Sequence, residues 1–372
     1  MTLPDTTVTG DGRSGPLPLI PLTVITGFLG AGKSTFLNRL LKDRALANTV
    51  VIVNEFGEIG LDHLLVEQPQ DGMMLLASGC LCCTVRGDLV ATLEDLLRRR
   101  DNNRIAPFDR VVIETTGLAD PAPVLQVTMN HRYLAMRYRL EGVVTLVDAV
   151  NGLRTLQDHV EAMKQVAVAD RLVLSKTDLC MDEATRSRLA ALRGELKRLN
   201  PLAPVLDVHS EIDVRELLDC GLYNPQSKQP DVARWLSDEG HHHDHAHDGH
   251  HHHGHDHHAH DYQHPHDVNR HSADIQAFSF TSDQPVSEEA LSRFLDLLRL
   301  AHGPKLLRLK GIVAMEEEPA RPLVLHCVQH VLHPVFRLPH WPDANHSTRL
   351  VCITQGLDHA FINRLWASLR PA

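Results

Sequence analysis

Residues 27–34 read Gly-Phe-Leu-Gly-Ala-Gly-Lys-Ser, which is the spacing G-x-x-x-x-G-K-S. Gly27, Gly30 and Gly32 let successive backbone N–H groups curl around phosphate oxygens, where a Cβ would clash. Lys33 is expected to reach the β- and γ-phosphates and the Ser34 hydroxyl to join a Mg²⁺ shell, with Ala31 and Thr35 completing the loop and the first helical turn. Such a loop needs a strand before it and a helix after it. The apolar run Leu22–Thr26 and the amphipathic stretch Ser34–Arg44 supply both, and the helix start adds its own attraction for anions.

Val111-Val-Ile-Glu114 is an apolar run ending in a carboxylate, where a phosphate-binding loop requires an acid near Mg²⁺. The Thr115-Thr116-Gly117 that follows offers a glycine N–H to the γ-phosphate, a plausible sensor of nucleotide state. Farther on, Leu172-Val-Leu leads into Ser175-Lys176-Thr177-Asp178. The Asp178 carboxylate can accept two hydrogen bonds from the N1–H and N2–H₂ edge of guanine; adenine lacks that donor pair. The Lys176 stem can lie across the purine ring. The expected substrate is therefore GTP with Mg²⁺, with Lys33, Glu55 and Glu114 as catalytic candidates.

Cys80, Cys82 and Cys83 form a C-x-C-C. In extended chain Cys80 and Cys82 share a face, and a turn at Gly79 brings Cys83 around. Three soft ligands suit Zn²⁺, Cu⁺ or, less well, Co²⁺, and leave an open coordination position fit for a metal that is handed on. Buried small residues or a redox pair are the alternatives. Asn54-Glu55-Phe-Gly57-Glu58 occupies the usual place of a first switch loop; Glu58 is a further candidate ligand, and Glu55 could act near Mg²⁺ or the attacking water. Sixteen of the 27 histidines lie between His241 and His271, among them His241, His242, His243, His250, His251, His252 and His253. Their composition suits weak binding of Zn²⁺, Ni²⁺ or Co²⁺, a reservoir feeding the thiolates, with a plain solvated linker as the alternative.

The elements that must position these groups divide the chain. Residues 1–18 are Gly/Pro/Thr-rich and read as a disordered leader with no signal-peptide pattern. From 19 to 236, Leu22–Thr26, Val50–Val53, Val111–Ile113, Val143–Val147, Leu172–Leu174 and Val205–Val208 read as buried strands alternating with helices such as Asp88–Arg100 and Glu183–Leu199. That alternation predicts an α/β fold, a mostly parallel sheet with helices on both faces. Residues 237–273 are the His-rich linker. Residues 274–372 predict a small α+β domain ordered β-α-β-β-β-α: strands at Ile275–Thr281, Leu306–Met315, Leu323–Leu332 and Thr348–Thr354, helices at Ser287–Leu300 and Asp358–Leu369.

Lys and Arg total 37 and Asp and Glu 47, a net charge of −10, which argues against a nucleic-acid-wrapping protein. The apolar runs are too short for a membrane span, so the expected compartment is the cytoplasm. Seven cysteines, an odd number, make a poor secreted disulfide framework.

These motifs together resemble the CobW-like P-loop GTPases of the CobW/HypB/UreG group. The resemblance rests on T-G-F-L-G-A-G-K-S-T at 26–35, N-E-F-G-E at 54–58, G-C-L-C-C at 79–83, E-T-T-G-L-A-D-P at 114–121 and S-K-T-D at 175–178. It continues through Lys305-Leu-Leu-Arg-Leu-Lys-Gly311 and His346-Ser-Thr. It implies a P-loop NTPase fold and a slow, metal-stimulated GTPase that binds zinc, cobalt in some branches, and delivers it to a client metalloprotein. Cys80, Cys82 and Cys83 would be its ligands, with Glu58 a possible addition. Two positions depart from the pattern: Val53 stands where some relatives have Glu, and Ser175 replaces the Asn of N-K-x-D. A metal-dependent homo-oligomer is a further expectation. Metal storage with a regulatory GTP site, maturation of one cobalt or nickel enzyme, and a redox-sensing GTPase are the alternative functions.

Overall fold

The computed structural model describes residues 18–54, 74–78, 85–210, 212–218, 220, 275–333 and 335–368. Its first half is built on β1 (Ile20–Gly27), α1 (Lys33–Leu40), β2 (Thr49–Asn54), β3 (Met74–Ser78), α2 (Val85–Asp101), β4 (Arg110–Glu114), α3 (Ala122–Asn130), α4 (Arg132–Ala135), β5 (Tyr138–Asp148), α5 (Gly152–Asp158), α6 (Val160–Ala167), β6 (Arg171–Ser175), α7 (Glu183–Leu199), β7 (Val205–Asp207) and α8 (Val214–Leu218). The strands form a seven-stranded sheet in the order β3-β2-β4-β1-β5-β6-β7, and every pairing is parallel. Each run read as a strand in this half is one and β3 is an addition, but the last, expected buried over Val205–Val208, is the edge strand Val205–Asp207 and is only half-buried, because no strand among the described residues covers its outer side. Parallel strands covered on both faces need no polar alternation, which is why Leu22, Val24 and Ile25 of β1 are all fully buried. One apolar layer joins Leu22 and Val24 to Leu89, Leu93 and Leu97 of α2; the opposite layer joins Ile25 to Phe36, Leu37 and Leu40 of α1.

The second half contains β8 (Ile275–Ser282), α9 (Glu288–His302), β9 (Leu306–Val313), β10 (Leu323–Val328), β11 (Val331–Leu332), β12 (Phe336–Arg337), β13 (Thr348–Gln355) and α10 (His359–Ala367). Side-chain caps start both helices: Ser287 Oγ accepts from Ala290 N at 3.3 Å and Asp358 Oδ1 from Phe361 N at 2.6 Å. The sheet is antiparallel, ordered β11-β10-β9-β13-β8 with β12 on β10. The run Leu323–Leu332, expected as one strand, is a hairpin: Gln329 takes a left-handed φ of 52° and turns the chain, so Cys327 pairs with Leu332.

An antiparallel sheet commonly leaves one face wet, but here both faces are covered. Leu309, Cys327, Leu350 and Cys352 pack under Phe294, Leu298, Ile362 and Trp366 of the two helices. On the other face Ile275, Leu307 and Ile353 join Leu172, Leu174, Leu192 and Leu196 of the first half in one cluster. Val328, at the hairpin, belongs to the cluster of β1 and α2. Each such side chain contributes on the order of 2 kcal/mol by leaving water.

A buried ion pair also crosses this junction. The Arg308 guanidinium of β9 bonds the Asp170 carboxylate through one terminal nitrogen, and the second terminal nitrogen donates to Val168 O at 2.5 Å. Asp170 Oδ2 accepts from Val143 N at 2.9 Å. Burial alone would raise the Asp170 carboxyl; Arg308, with smaller contributions from His326, Lys310 and the Val143 amide, holds it far below the usual range. Beside this pair His326 and His333 stack with ring centroids 4.1 Å apart, and both are buried.

Candidate functional site

The expected phosphate loop leaves the C-terminal end of the central strand. Gly27 is required by space as well as by backbone: its φ is 146°, and a Cβ would stand 2.5 Å from Leu146 O. Gly30 and Gly32 follow in the left-handed region, at φ 76° and 85°, and Gly32 caps α1. Lys33 is buried and its Nζ donates to Gly27 O at 2.9 Å and Phe28 O at 3.3 Å. Burial depresses the Lys33 pKa, and the nearby Glu114 charge only partly restores it. A cation so placed gains by acquiring an anion, and phosphate is the anion this loop is shaped to hold. Ser34 and Thr35 are exposed on the first turn, and Ala31 is buried behind them.

Glu114 ends β4 and is buried, registered beside Ile25 of β1. Its Oε1 accepts from Ser34 Oγ at 3.4 Å. A hydroxyl and a carboxylate brought together beside a phosphate loop are hard oxygen donors, and they fit Mg²⁺. The next residue is tied to the same strand: Thr115 N donates to Ile25 O at 3.0 Å and Thr115 Oγ1 to Thr26 Oγ1 at 2.7 Å. Gly117 lies against the loop so closely that a Cβ would be 2.7 Å from Leu29 Cα. Gln165 of α6 donates to Gly117 O at 3.1 Å and Ala119 O at 3.0 Å, fixing the segment from behind. Asp120 closes it, accepting from Ala122 N at 2.9 Å to start α3 and from Gln329 Nε2 of the β10–β11 hairpin at 3.2 Å.

Ser175 ends β6, and its hydroxyl donates to Ala31 O at 2.7 Å. Ser175, standing in place of Asn, thereby bonds the base loop to the phosphate loop. Lys176 has φ 58° and its Nζ sits 2.7 Å from Asp148 Oδ2 at the end of β5. Asp148 also accepts from Val150 N at 2.8 Å and Asn151 N at 3.1 Å. Burial opposes its ionisation, yet the bonds from Lys176, Asn151 and Val150 together hold its carboxyl below the usual range. A cavity of about 170 Å³ lies beside these groups, lined by Phe28, Ala31, Asp148, Asn151, Gln165 and Lys176 among others. Asp178 is exposed and accepts from His209 Nε2 at 2.9 Å.

Gly27, Glu114, Asp148 and Ser175 each close a strand, so the phosphate loop, the acid and the base loop gather at the C-terminal edge of one parallel sheet. The structure thus brings together Lys33, Ser34, Glu114 and Gly117, and ties Lys176 and Asp178 to the same edge. Asp148, Gln165 and His209 were missed from the sequence. Asp148 had a signal, as an acid closing the apolar run Val143–Val147; Gln165 and His209 had none.

Glu55, Glu58, Cys80, Cys82, Cys83 and the histidines from His241 to His253 lie outside the described residues. Asn54 and Ser78 are register partners across β2 and β3, so the segments beginning at Glu55 and Gly79 start from neighbouring strand ends. Among the described residues no group of three or more His, Cys, Asp or Glu is placed to hold a metal ion. Cys180, Cys220, Cys327 and Cys352 are buried free thiols. Burial pushes Cys327 and Cys352 up to about 12 and raises Cys220 further, so these three are not thiolates near neutrality. No helix among the described residues is long and apolar enough to cross a membrane.

Comparison with known proteins agrees with this geometry. The family model for the CobW/HypB/UreG nucleotide-binding domain matches residues 21–207, and that for the cobalamin synthesis protein cobW C-terminal domain matches 275–370. The zinc chaperone YjiA of Escherichia coli is 34% identical over 94% of this chain and 99% of its own. The zinc chaperone CobW of Pseudomonas aeruginosa is 30% identical over 95% of this chain and 92% of its own. A crystal structure of the Zn(II)-bound YjiA GTPase from E. coli superposes with a TM-score of 0.68 at 29% identity, covering 95% of this chain and all of that one. With both family domains matched in order and the nucleotide-site residues gathered on one sheet edge, the chain belongs to the CobW/HypB/UreG family.

Proposed function

We propose that the chain is a GTP-hydrolysing metallochaperone that carries Zn²⁺ on Cys80, Cys82 and Cys83 and delivers it to a client metalloprotein. The observation that carries this reading is the joining of Ser34, Glu114 and the Gly117 segment on the sheet edge from which the Glu55 and Gly79 segments start. The names of the relatives, zinc chaperone and zinc-regulated GTPase metalloprotein activator, point the same way.

In this reading the phosphate loop's N–H groups hold the β-phosphate, and Lys33 exchanges the carbonyls of Gly27 and Phe28 for phosphate oxygens. Ser34 and Glu114 would hold Mg²⁺, which supplies charge neutralisation across the β- and γ-phosphates. The Gly117 N–H reads the γ-phosphate, and Glu55 orients the attacking water. Asp178 selects guanine while Lys176, held by Asp148, covers the ring. The γ-phosphate draws the Glu55 and Gly79 segments together, raising zinc affinity at the thiolates, with Glu58 as an added ligand; hydrolysis releases the ion. By linkage, zinc tightens GTP binding by the same factor. The histidine tract serves as a zinc reservoir, and the protein acts in the cytoplasm.

The test is GTP turnover with Zn²⁺, with Co²⁺ and with neither, on the full chain, a tract-deleted chain and Cys82→Ser. Zinc stimulation lost in Cys82→Ser supports the reading. Turnover indifferent to every metal, or equal GTP affinity with and without zinc, assigns the cysteines to storage or redox chemistry.

A further inference from the structure

Asp178, the residue assigned to read guanine, is not held by its own loop. Its side chain is 57% exposed, and a carboxylate so open to water spreads over several rotamers. Among the described residues the one bond on its side chain comes from His209, whose Nε2 lies 2.9 Å from Asp178 Oδ1. An ionised carboxylate only accepts, so Nε2 is the protonated nitrogen of this pair.

His209 reaches Asp178 from an anchored backbone. Its N–H donates to Asp207 Oδ1 at 2.9 Å, and that same oxygen accepts from Thr177 Oγ1 at 2.7 Å. Ser210 closes the turn, with N to Asp207 O at 3.1 Å and Oγ to the same oxygen at 2.6 Å. Val208 N continues the sheet to Leu174 O at 2.9 Å, and the Arg39 guanidinium of α1 bonds Val208 O. The loop after β7 is thereby stapled both to β6 and to the helix that follows the phosphate loop. It meets the S-K-T-D segment twice, at Thr177 through Asp207 and at Asp178 through His209.

We infer that His209 is a positioning residue for base selection: it orients the Asp178 carboxylate so that both oxygens meet the N1–H and N2–H₂ edge of guanine. The inference rests on the proposed assignment of Asp178 to guanine. Oδ1 keeps a second lone pair after accepting from His209, and Oδ2 keeps both of its own, so the imidazole orients the group without occupying the positions guanine needs. Removing the imidazole leaves the carboxylate to be ordered by the base itself, a cost that falls most heavily on the bond to the 2-amino group, because it requires both oxygens aligned at once.

The experiment is equilibrium binding to the full chain with Mg²⁺, comparing GTP with ITP, which keeps N1–H but lacks the 2-amine, and with XTP. Asp178→Asn tests the base assignment: it is expected to exchange preference from GTP to XTP, since a carboxamide can donate to the 2-oxo group. His209→Ala is expected to lose about tenfold in GTP affinity and about threefold in ITP affinity, lowering the GTP/ITP ratio. His209→Gln, whose amide nitrogen can donate from a similar reach, is expected to restore the ratio. A general loosening of the loop weakens both nucleotides equally and leaves the ratio unchanged; that result in His209→Ala overturns the inference while leaving the base assignment standing. Failure of Asp178→Asn to change preference removes the base assignment, and this inference with it.

Discussion

The stacked pair His326 and His333 makes the junction between the two halves sensitive to acid. Burial is the main cause for both rings. It lowers His333 to about 4, against a weak opposing pull from Asp170. For His326 the Arg308 and Lys310 charges add to burial and Asp170 opposes, leaving it well below its ordinary value. An unfolded chain takes up a proton on each ring near pH 6.5, which the folded chain refuses until the pH is far lower. The unfolded state therefore binds more protons in that interval, and stability falls as the pH drops. For His333 alone, 2% exposed, the loss between pH 7 and pH 5 is about 2 kcal/mol, and below pH 4 about 3 kcal/mol. The perturbation that isolates it is His333→Phe, which keeps a ring against His326 and the backbone bond from residue 333 N to His326 O (2.9 Å) but cannot titrate. Urea unfolding at pH 7 and pH 5, followed by tryptophan fluorescence, is the assay; Trp341 and Trp366 are both buried in the C-terminal half. Carboxylate titrations are common to both proteins and cancel in the difference. The variant is expected to lose about 2 kcal/mol less than the parent on going to pH 5. Equal losses in the two proteins would refute the reasoning, whatever the variant's stability at pH 7.

Arg308→Met strips the partner from a buried carboxylate and is expected to cost about 3–5 kcal/mol, read as a shift of the urea midpoint. Adding Asp170→Asn to it removes the stranded charge while keeping an acceptor for Val143 N, and is expected to recover most of that loss; no recovery would sink the ion-pair account. Ser175→Ala breaks the bond to Ala31 O and is expected to weaken GTP binding by about fivefold, equivalent to about 1 kcal/mol. Unchanged affinity would show that the base loop and phosphate loop are held in register by other means.

The strand pattern of the first half was legible because a parallel core needs unbroken apolar runs, and β1, β4 and β6 each sit between turn residues that announce their ends. The edge strand Met74–Ser78 was overlooked: Met-Leu-Leu-Ala is as fit for a helix as for a strand, and only its place beside Thr49–Asn54 decides. The hairpin after Val328 was missed for a related reason. Gln329 and His330 are not the residues that turns favour, and Gln329 bears its left-handed backbone because its N–H bonds Leu307 O at 3.2 Å and its side chain bonds Asp120. In the site, Lys33, Ser34, Glu114 and Gly117 could be read because phosphate chemistry fixes residue type and spacing together. Gln165 and His209 could not, since each acts across 31 residues or more through a bond that no local pattern encodes. The Asp170–Arg308 pair spans 138 residues, and in sequence both look like ordinary surface charges.

Val328, Ile275, Leu307 and Ile353 lie in apolar clusters shared with the first half. The two halves are therefore cemented by side chains across the junction, in addition to the peptide that joins them. A protease cut anywhere in that connecting peptide should yield two fragments that travel as one particle through gel filtration.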